Sequence, residues 1–354
     1  MASSSSSSST DLFVADHPVG LKSRVQEVIQ LLNLNNQRYS ERTRVIGICG
    51  MGGIGKTTIA KAVYNKIHHH FEAESFLLNV REVCEQDNGD VSLQQQLLSD
   101  IYKTIKIIKI DTVESGQMIL QKMLPLKRIF LVLDDVSKLD HLNALCESPE
   151  WFGQGSIIII TTRITNLLGG LALYEMKPMN IYESLELFSW YAFNQPNPVE
   201  DFAELSRDFV TFSNGIPLAL EVIGSFLLTI TRKSEWESVL ERLQHTPKDD
   251  KVSEIIRISF DGLSDDDMKK IFLDIASNLC GMDLDDVIKI LKDSGHSAQN
   301  GIKVLLQRRL VTVDSKNRIG MHGLVQAFGR EIIRQSSLSR VSKIWFFRLY
   351  LIYH

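Results

Sequence analysis

The stretch Gly50-Met51-Gly52-Gly53-Ile54-Gly55-Lys56-Thr57-Thr58 decides how this chain is read. It satisfies G-x-x-x-x-G-K-[ST], the phosphate-binding loop. The run Val45-Ile46-Gly47-Ile48-Cys49 before it reads as a short buried strand, and Thr58 to Tyr64 after it reads as a helix. Glycines let the backbone curl until several N–H groups point at one anion. The helix N-terminus adds partial positive charge. In this motif Lys56 reaches the β- and γ-phosphates, and the Thr57 hydroxyl sits on Mg²⁺. The motif therefore implies a bound nucleoside di- or triphosphate.

Outward from the loop, strand-like runs fall at 45–49, 75–80, 129–133 and 156–161, and helix-like runs at 21–32, 57–70, 92–103, 113–124 and 138–145. Apolar strands alternating with helices predict an α/β unit: a parallel sheet covered by helices on both faces. Beyond about 177 the pattern turns helical, with helices expected at 182–193, 201–211 and 217–228, Pro217 fitting a first helical position. From 251 to 336 Ser264-Asp265-Asp266-Asp267 caps a helix over 268–277. Helices at 284–292 and 299–308, a hairpin of 310–313 with 318–321, and a helix over 324–335 follow, the pattern of a winged helix. The expected organisation is a disordered tail 1–17, a nucleotide-binding domain 18–175, a helical domain 176–250, a winged-helix domain 251–336 and a C-terminal tail 337–354.

Two further stretches carry chemistry. Arg128 to Leu133 is a hydrophobic strand ending in Asp134-Asp135. Acids at such a strand end complement a phosphate-binding loop: Asp134 is assigned to Mg²⁺ and Asp135 to polarising an attacking water. Gly155 to Arg163 is a second core strand, and Arg163 at its end would reach a γ-phosphate.

Bulk properties narrow the field. A net charge of −4 over 354 residues, and 13 basic against 12 acidic residues over 251–336, give no nucleic-acid footprint. Four dispersed cysteines form no zinc-binding pair and suggest a reducing compartment, so a cytoplasmic location is expected. No run approaches about 18 apolar residues, so no membrane span is expected. His68-His69-His70 point in different directions on a helix and do not converge on a metal.

The succession of the loop, Phe76-Leu77-Leu78-Asn79-Val80-Arg81-Glu82, Leu131 to Val136, Ile159 to Arg163, Gly215-Ile216-Pro217-Leu218-Ala219-Leu220 and Met321-His322-Gly323-Leu324 resembles the NB-ARC nucleotide switch of plant disease-resistance proteins. These are signal-transducing ATPases. The forms Phe76 to Glu82, Leu133-Asp134-Asp135-Val136 and Phe272-Leu273-Asp274-Ile275-Ala276 resemble the subgroup carrying a Toll/interleukin-receptor-like (TIR) domain. The resemblance covers residues 18–336. It implies ADP or ATP with Mg²⁺ as ligands and slow hydrolysis as a reset. It implies that Val19, Gly20 and Pro217 lie near adenine and that His322 meets the β-phosphate of ADP. Gly323 departs from the family's Met-His-Asp. No counterpart of the TIR part or the leucine-rich repeats is expected in this chain, so an adaptor or decoy pairing with full-length receptors, or self-association, is the alternative expectation.

Overall fold

The structure, a computed structural model, describes residues 11–32, 42–103, 109–247 and 251–337. The serine tract 1–10 and nearly all of the expected C-terminal tail lie outside them. The chain divides into two compact units, Met1–Lys177 and Pro178–His354.

The first unit is built on five parallel strands: β1 Arg44–Cys49, β2 Ala73–Leu77, β3 Ile129–Val136, β4 Ile157–Thr162 and β5 Ala172–Glu175. Their order is β2-β3-β4-β1-β5, and every pairing is parallel. Alternate residues of one strand serve opposite cores. Ile157 and Ile159 join Ile46, Ile48, Phe130 and Val132 on the face covered by α1 Leu21–Leu31 and α2 Lys56–Ile67. Ile158 and Ile160 join Leu131 and Leu133 on the other. There they pack with α4 Gly89–Ile101, α5 Val113–Met123 and α6 Leu139–Cys146, while α3 Val80–Cys84 leads into α4. Burial on both faces is why β3 and β4 are apolar at every position until their ends.

Three expectations change in this unit. The strand expected over 75–80 ends at Leu77; the chain turns at Asn79, which takes φ 54°, and Val80 opens α3. A short apolar run does not distinguish a strand from a buried helix start. Strand β5 has no counterpart in the sequence reading, because an edge strand with mostly exposed residues lacks the apolar signature. Residues 11–17, expected in a disordered tail, are described and partly docked: Leu12 N–H donates to Asn65 Oδ1 (2.8 Å), and Asn65 Nδ2 donates to Leu12 O (2.7 Å).

The second unit is helical, with one small hairpin. Helices α7 Ile181–Phe193, α8 Ala203–Ser213, α9 Pro217–Leu227 and α10 Lys233–Gln244 surround Phe188, Phe209 and fully buried Trp236. The Trp236 indole N–H donates to Ile230 O (3.0 Å). Helix α7 starts at a capping box, Asn180 with Glu183. Helix α11 Lys251–Asp261 packs against α9 and, in the winged-helix segment, against α15 Gly323–Ser337. Asp265 caps α12 Asp266–Asp274, which continues into a wider turn at Ile275–Leu279. Then come α13 Leu284–Asp293, α14 Ala298–Gln307 and the antiparallel pair β6 Thr312–Val313 with β7 Ile319–Gly320. Helices α10 and α11 were not individually expected: α10 buries only Trp236, Leu240 and Leu243 amid polar residues.

Candidate functional site

Strand order places the site. Loops after β1, β4 and β3 emerge side by side at the carboxyl edge of the sheet, where open α/β folds bind ligands. Strand β1 delivers the phosphate-binding loop. Gly50, Gly53 and Gly55 take φ 151°, 78° and 97°; Gly52 takes no positive angle. At Gly50 a Cβ would also sit 3.0 Å from the Met176 Cβ and 3.2 Å from Ile54 Cγ2, so the turn admits no side chain without displacement. Gly55 precedes α2, and no side chain caps that helix, so its first N–H groups are left without a side-chain acceptor at the cap. Ile54 is buried beneath the loop.

Lys56, the first residue of α2, is 7% exposed and spans the loop: its Nζ donates to Gly50 O (2.7 Å) and Met51 O (2.9 Å). Burial pushes its pKa from 10.5 to about 8, and Arg163 pushes the same way, against Asp135 and Asp134. Its ammonium is therefore held, dehydrated, beside the loop carbonyls, arranged to gain from a phosphate.

The next helix residue reaches across to β3. Thr57 Oγ1 donates to Asp134 Oδ1 (2.8 Å), and Thr161 Oγ1 of β4 donates to the same oxygen (2.7 Å). Asp134 is 1% exposed, and its Oδ2 is buried with no hydrogen-bond partner. Burial raises the Asp134 pKa above its ordinary value; the two hydroxyls act in the opposite direction. A buried carboxylate oxygen without a partner, next to a threonine hydroxyl, fits a hard cation that takes oxygen ligands. Thr57 and Asp134 are thus suited to Mg²⁺ on the donor chemistry present. Among the described residues no group of three His, Cys, Asp or Glu side chains converges as a metal cage.

Asp135 has different side-chain partners from Asp134. Strand β3 does not end at Leu133; its register with β4 shifts between Leu133 and Val136, and Asp135 takes φ 57°. Such a bulge re-aims side chains at the edge of a sheet. Thr161 closes it, since its Oγ1 also accepts from Asp135 N–H (2.8 Å). The Asp135 carboxylate meets two arginines: Arg81 Nε at 2.9 Å from Oδ2, and Arg163 Nε at 3.5 Å from Oδ1. Arg81 also faces Glu82 (3.5 Å) and Glu85 (3.7 Å). Arg81 was quoted in a motif but not assigned to the site. Parallel pairing of β2 with β3, Leu77 opposite Leu133, is what brings the start of α3 to Asp135.

The loop, Asp134, Asp135 and Arg163 therefore converge through direct contacts. Thr58 follows on the first turn of α2. Val19 and Gly20 form the turn ahead of α1, with local hydrogen bonds: Val19 N–H donates to His17 O (2.8 Å), and Gly20 O accepts from Arg24 Nη1 (2.6 Å).

Pro217 and His322 belong to the second unit. Pro217 is the first residue of α9 and follows Gly215, whose φ is 67° and whose Cβ would lie 2.3 Å from Met179 O. His322 precedes α15. Its Nδ1 accepts from Leu324 N–H (3.1 Å), and its carbonyl accepts from Val325 and Gln326 N–H. Gly323 begins α15, whose first turn holds no acid.

Comparisons with known proteins identify the family. The NB-ARC domain family matches residues 21–197, and the Roq1-like disease-resistance winged-helix family matches 265–337. Disease resistance protein RUN1 of Vitis rotundifolia is 41% identical over 333 residues, covering 92% of this chain and 24% of its own. TMV resistance protein N of Nicotiana glutinosa is 33% identical over 336 residues, covering 92% of this chain and 28% of its own. The chain thus spans about a quarter of the length of the curated relatives it matches. Among solved structures, a Signal Transduction ATPase with Numerous Domains (STAND) protein with a tetratricopeptide repeat sensor from Pyrococcus horikoshii superposes with TM-score 0.57. It is 18% identical, over 91% of this chain and 44% of that one, a likeness of fold. No helix among the described residues is long and apolar enough to cross a membrane. The phosphate-binding loop, the parallel sheet that carries it and the family match over 21–197 together establish that this chain belongs to the NB-ARC family of plant disease-resistance proteins.

Proposed function

We propose that this protein is an ADP/ATP-operated switch in plant immune signalling, with slow hydrolysis resetting its state. The observation that carries the reading is the convergence of Lys56, Thr57 and the partnerless Oδ2 of Asp134 at one sheet edge. Lys56 neutralises the terminal phosphates, and the backbone of Gly50, Gly52, Gly53, Ile54, Gly55 and Thr58 cradles them. Thr57 and Asp134 would hold Mg²⁺, which would supply positive charge beside the phosphates. Asp135 is the residue for polarising water, and Arg163 reads the γ-phosphate. Val19, Gly20 and Pro217 are assigned to adenine, and His322, just ahead of α15, to the β-phosphate. A nucleotide shifts such a switch only through unequal contacts in its two states. The free cysteines suit the reducing cytoplasm of an intracellular receptor. Partners on this reading are chains of the same family, copies of this one included.

The test is mass spectrometry of the nucleotide bound to protein purified without chelators. ADP at near-stoichiometric occupancy is expected, and Lys56→Ala should abolish it. An empty wild-type site, or unchanged retention in the variant, refutes the assignment. Steady-state phosphate release at or above about one per second, the ordinary enzyme range, would indicate a turnover ATPase instead.

A further inference from the structure

We infer that Arg81 is a positioning residue that holds the Asp135 carboxylate back from an attacking water and so keeps hydrolysis slow; this rests on the nucleotide-switch reading above. In hydrolysis Asp135 would take a water proton while the water oxygen bonds to the γ-phosphorus. The bridging oxygen would leave with ADP and keep the electron pair of the broken bond. That role needs a carboxylate oxygen turned to the water. Here neither oxygen is unengaged: Oδ2 accepts from Arg81 at 2.9 Å, and Oδ1 faces Arg163 at 3.5 Å.

The two arginines are not equivalent. Arg163 pairs with Asp135 alone among the described ion pairs, at the longer distance, and its side chain is the more exposed. It is the one placed to leave for a γ-phosphate. Arg81 stands on α3 with Glu82 and Glu85 on its other side, so three carboxylates hold its guanidinium. When Arg163 leaves, Arg81 stays. Nor does the Asp135 backbone readily turn its side chain elsewhere: the residue sits at φ 57° in a bulge whose N–H is bound to Thr161. A carboxylate fixed at both backbone and side chain serves a site that keeps its nucleotide rather than one that turns it over.

The experiment compares wild type, Arg81→Gln, Arg81→Lys, Asp135→Asn and Arg81→Gln/Asp135→Asn in the whole chain. Single-turnover hydrolysis of radiolabelled ATP with Mg²⁺ is measured alongside ADP retention and thermal unfolding. Arg81→Gln should hydrolyse about ten-fold faster, a fraction of the 10²- to 10⁴-fold worth of a general base. ADP retention should stay unchanged. Arg81→Lys keeps the charge but not the planar fork, so its rise should be smaller. The double variant should fall to the Asp135→Asn rate, because the gain acts through that carboxylate. An Arg81→Gln rate at or below wild type, with ADP retained, overturns the inference and leaves the switch reading standing. A wild type that holds no nucleotide overturns the switch reading itself. Should Arg81→Gln fail to fold, Arg81→Lys decides: a rate at or below wild type overturns the inference.

Discussion

Nucleotide affinity should fall steeply above pH 8, and Lys56 is the reason. In the free protein burial lowers its pKa from 10.5 to about 8. A bound polyphosphate requires the charged ammonium, so binding above pH 8 must take up a proton. The gap of roughly 2.5 units corresponds to about 3.4 kcal/mol between the two protonation states. The dissociation constant for ADP should rise about ten-fold between pH 7 and 9, and about ten-fold more per further unit. Titration of a fluorescent ADP analogue in Mg²⁺-free buffer from pH 7 to 9.5 measures this. Calorimetry in two buffers of unlike ionisation enthalpy counts the proton. Lys56→Arg should flatten the profile, because a guanidinium stays charged throughout. Stability of the nucleotide-free protein should move oppositely. Between about 8 and 10.5 the unfolded chain binds the extra proton, so folding stability rises with pH across that window, and Lys56→Met should remove the rise. A dissociation constant that stays level from pH 7 to 9.5 would refute the reasoning.

Other perturbations test other parts. Asp134→Asn removes a charge that burial disfavours while its amide oxygen still accepts from Thr57 and Thr161. The Mg²⁺-free protein should gain about 1 kcal/mol, seen as a rise of roughly 2–4 °C in thermal unfolding, and the extra stabilisation by Mg-nucleotide should shrink. Gly215→Ala places a methyl group 2.3 Å from Met179 O at a left-handed angle. It should destabilise the second unit by about 2–4 kcal/mol, measured by denaturant unfolding. Gly323→Asp puts an acid in the first turn of α15 and should stabilise that helix by about 0.3–1 kcal/mol. Mass spectrometry should show a larger ADP share in that variant; an unchanged ADP-to-ATP ratio would dissociate Gly323 from the choice of state.

Much of the site was readable in one dimension because it is local. A phosphate-binding loop is one strand end, one turn and one helix start, so its glycines, Lys56 and Thr57 announce themselves. Asp265 as a cap, and Pro217 as the first residue of a helix, are equally local. Elements governed by surroundings were harder to read. Helix α10 hides three buried residues among polar ones. Residues 11–17 looked like a continuation of the serine tract, yet Leu12 finds its partner at Asn65, 53 positions away. Strand β5 is short and mostly exposed, and among the described residues it pairs with β1 alone.

From residue types and spacing alone came the phosphate-binding loop, the acid pair and an arginine at a strand end, since each depends on neighbours in the chain. What each acid touches was decided by strand order. Placing β4 between β1 and β3 lets Thr57 and Thr161 share one oxygen of Asp134 and leaves its other oxygen without a partner. Pairing β2 with β3 brings Arg81 to Asp135, and the register shift in β3 sets Asp135 at φ 57°, where its carboxylate meets Arg81 and Arg163. Adjacent in sequence, the two aspartates differ in surroundings because hydrogen bonds and ion pairs from distant segments, not their own spacing, set what each carboxylate meets.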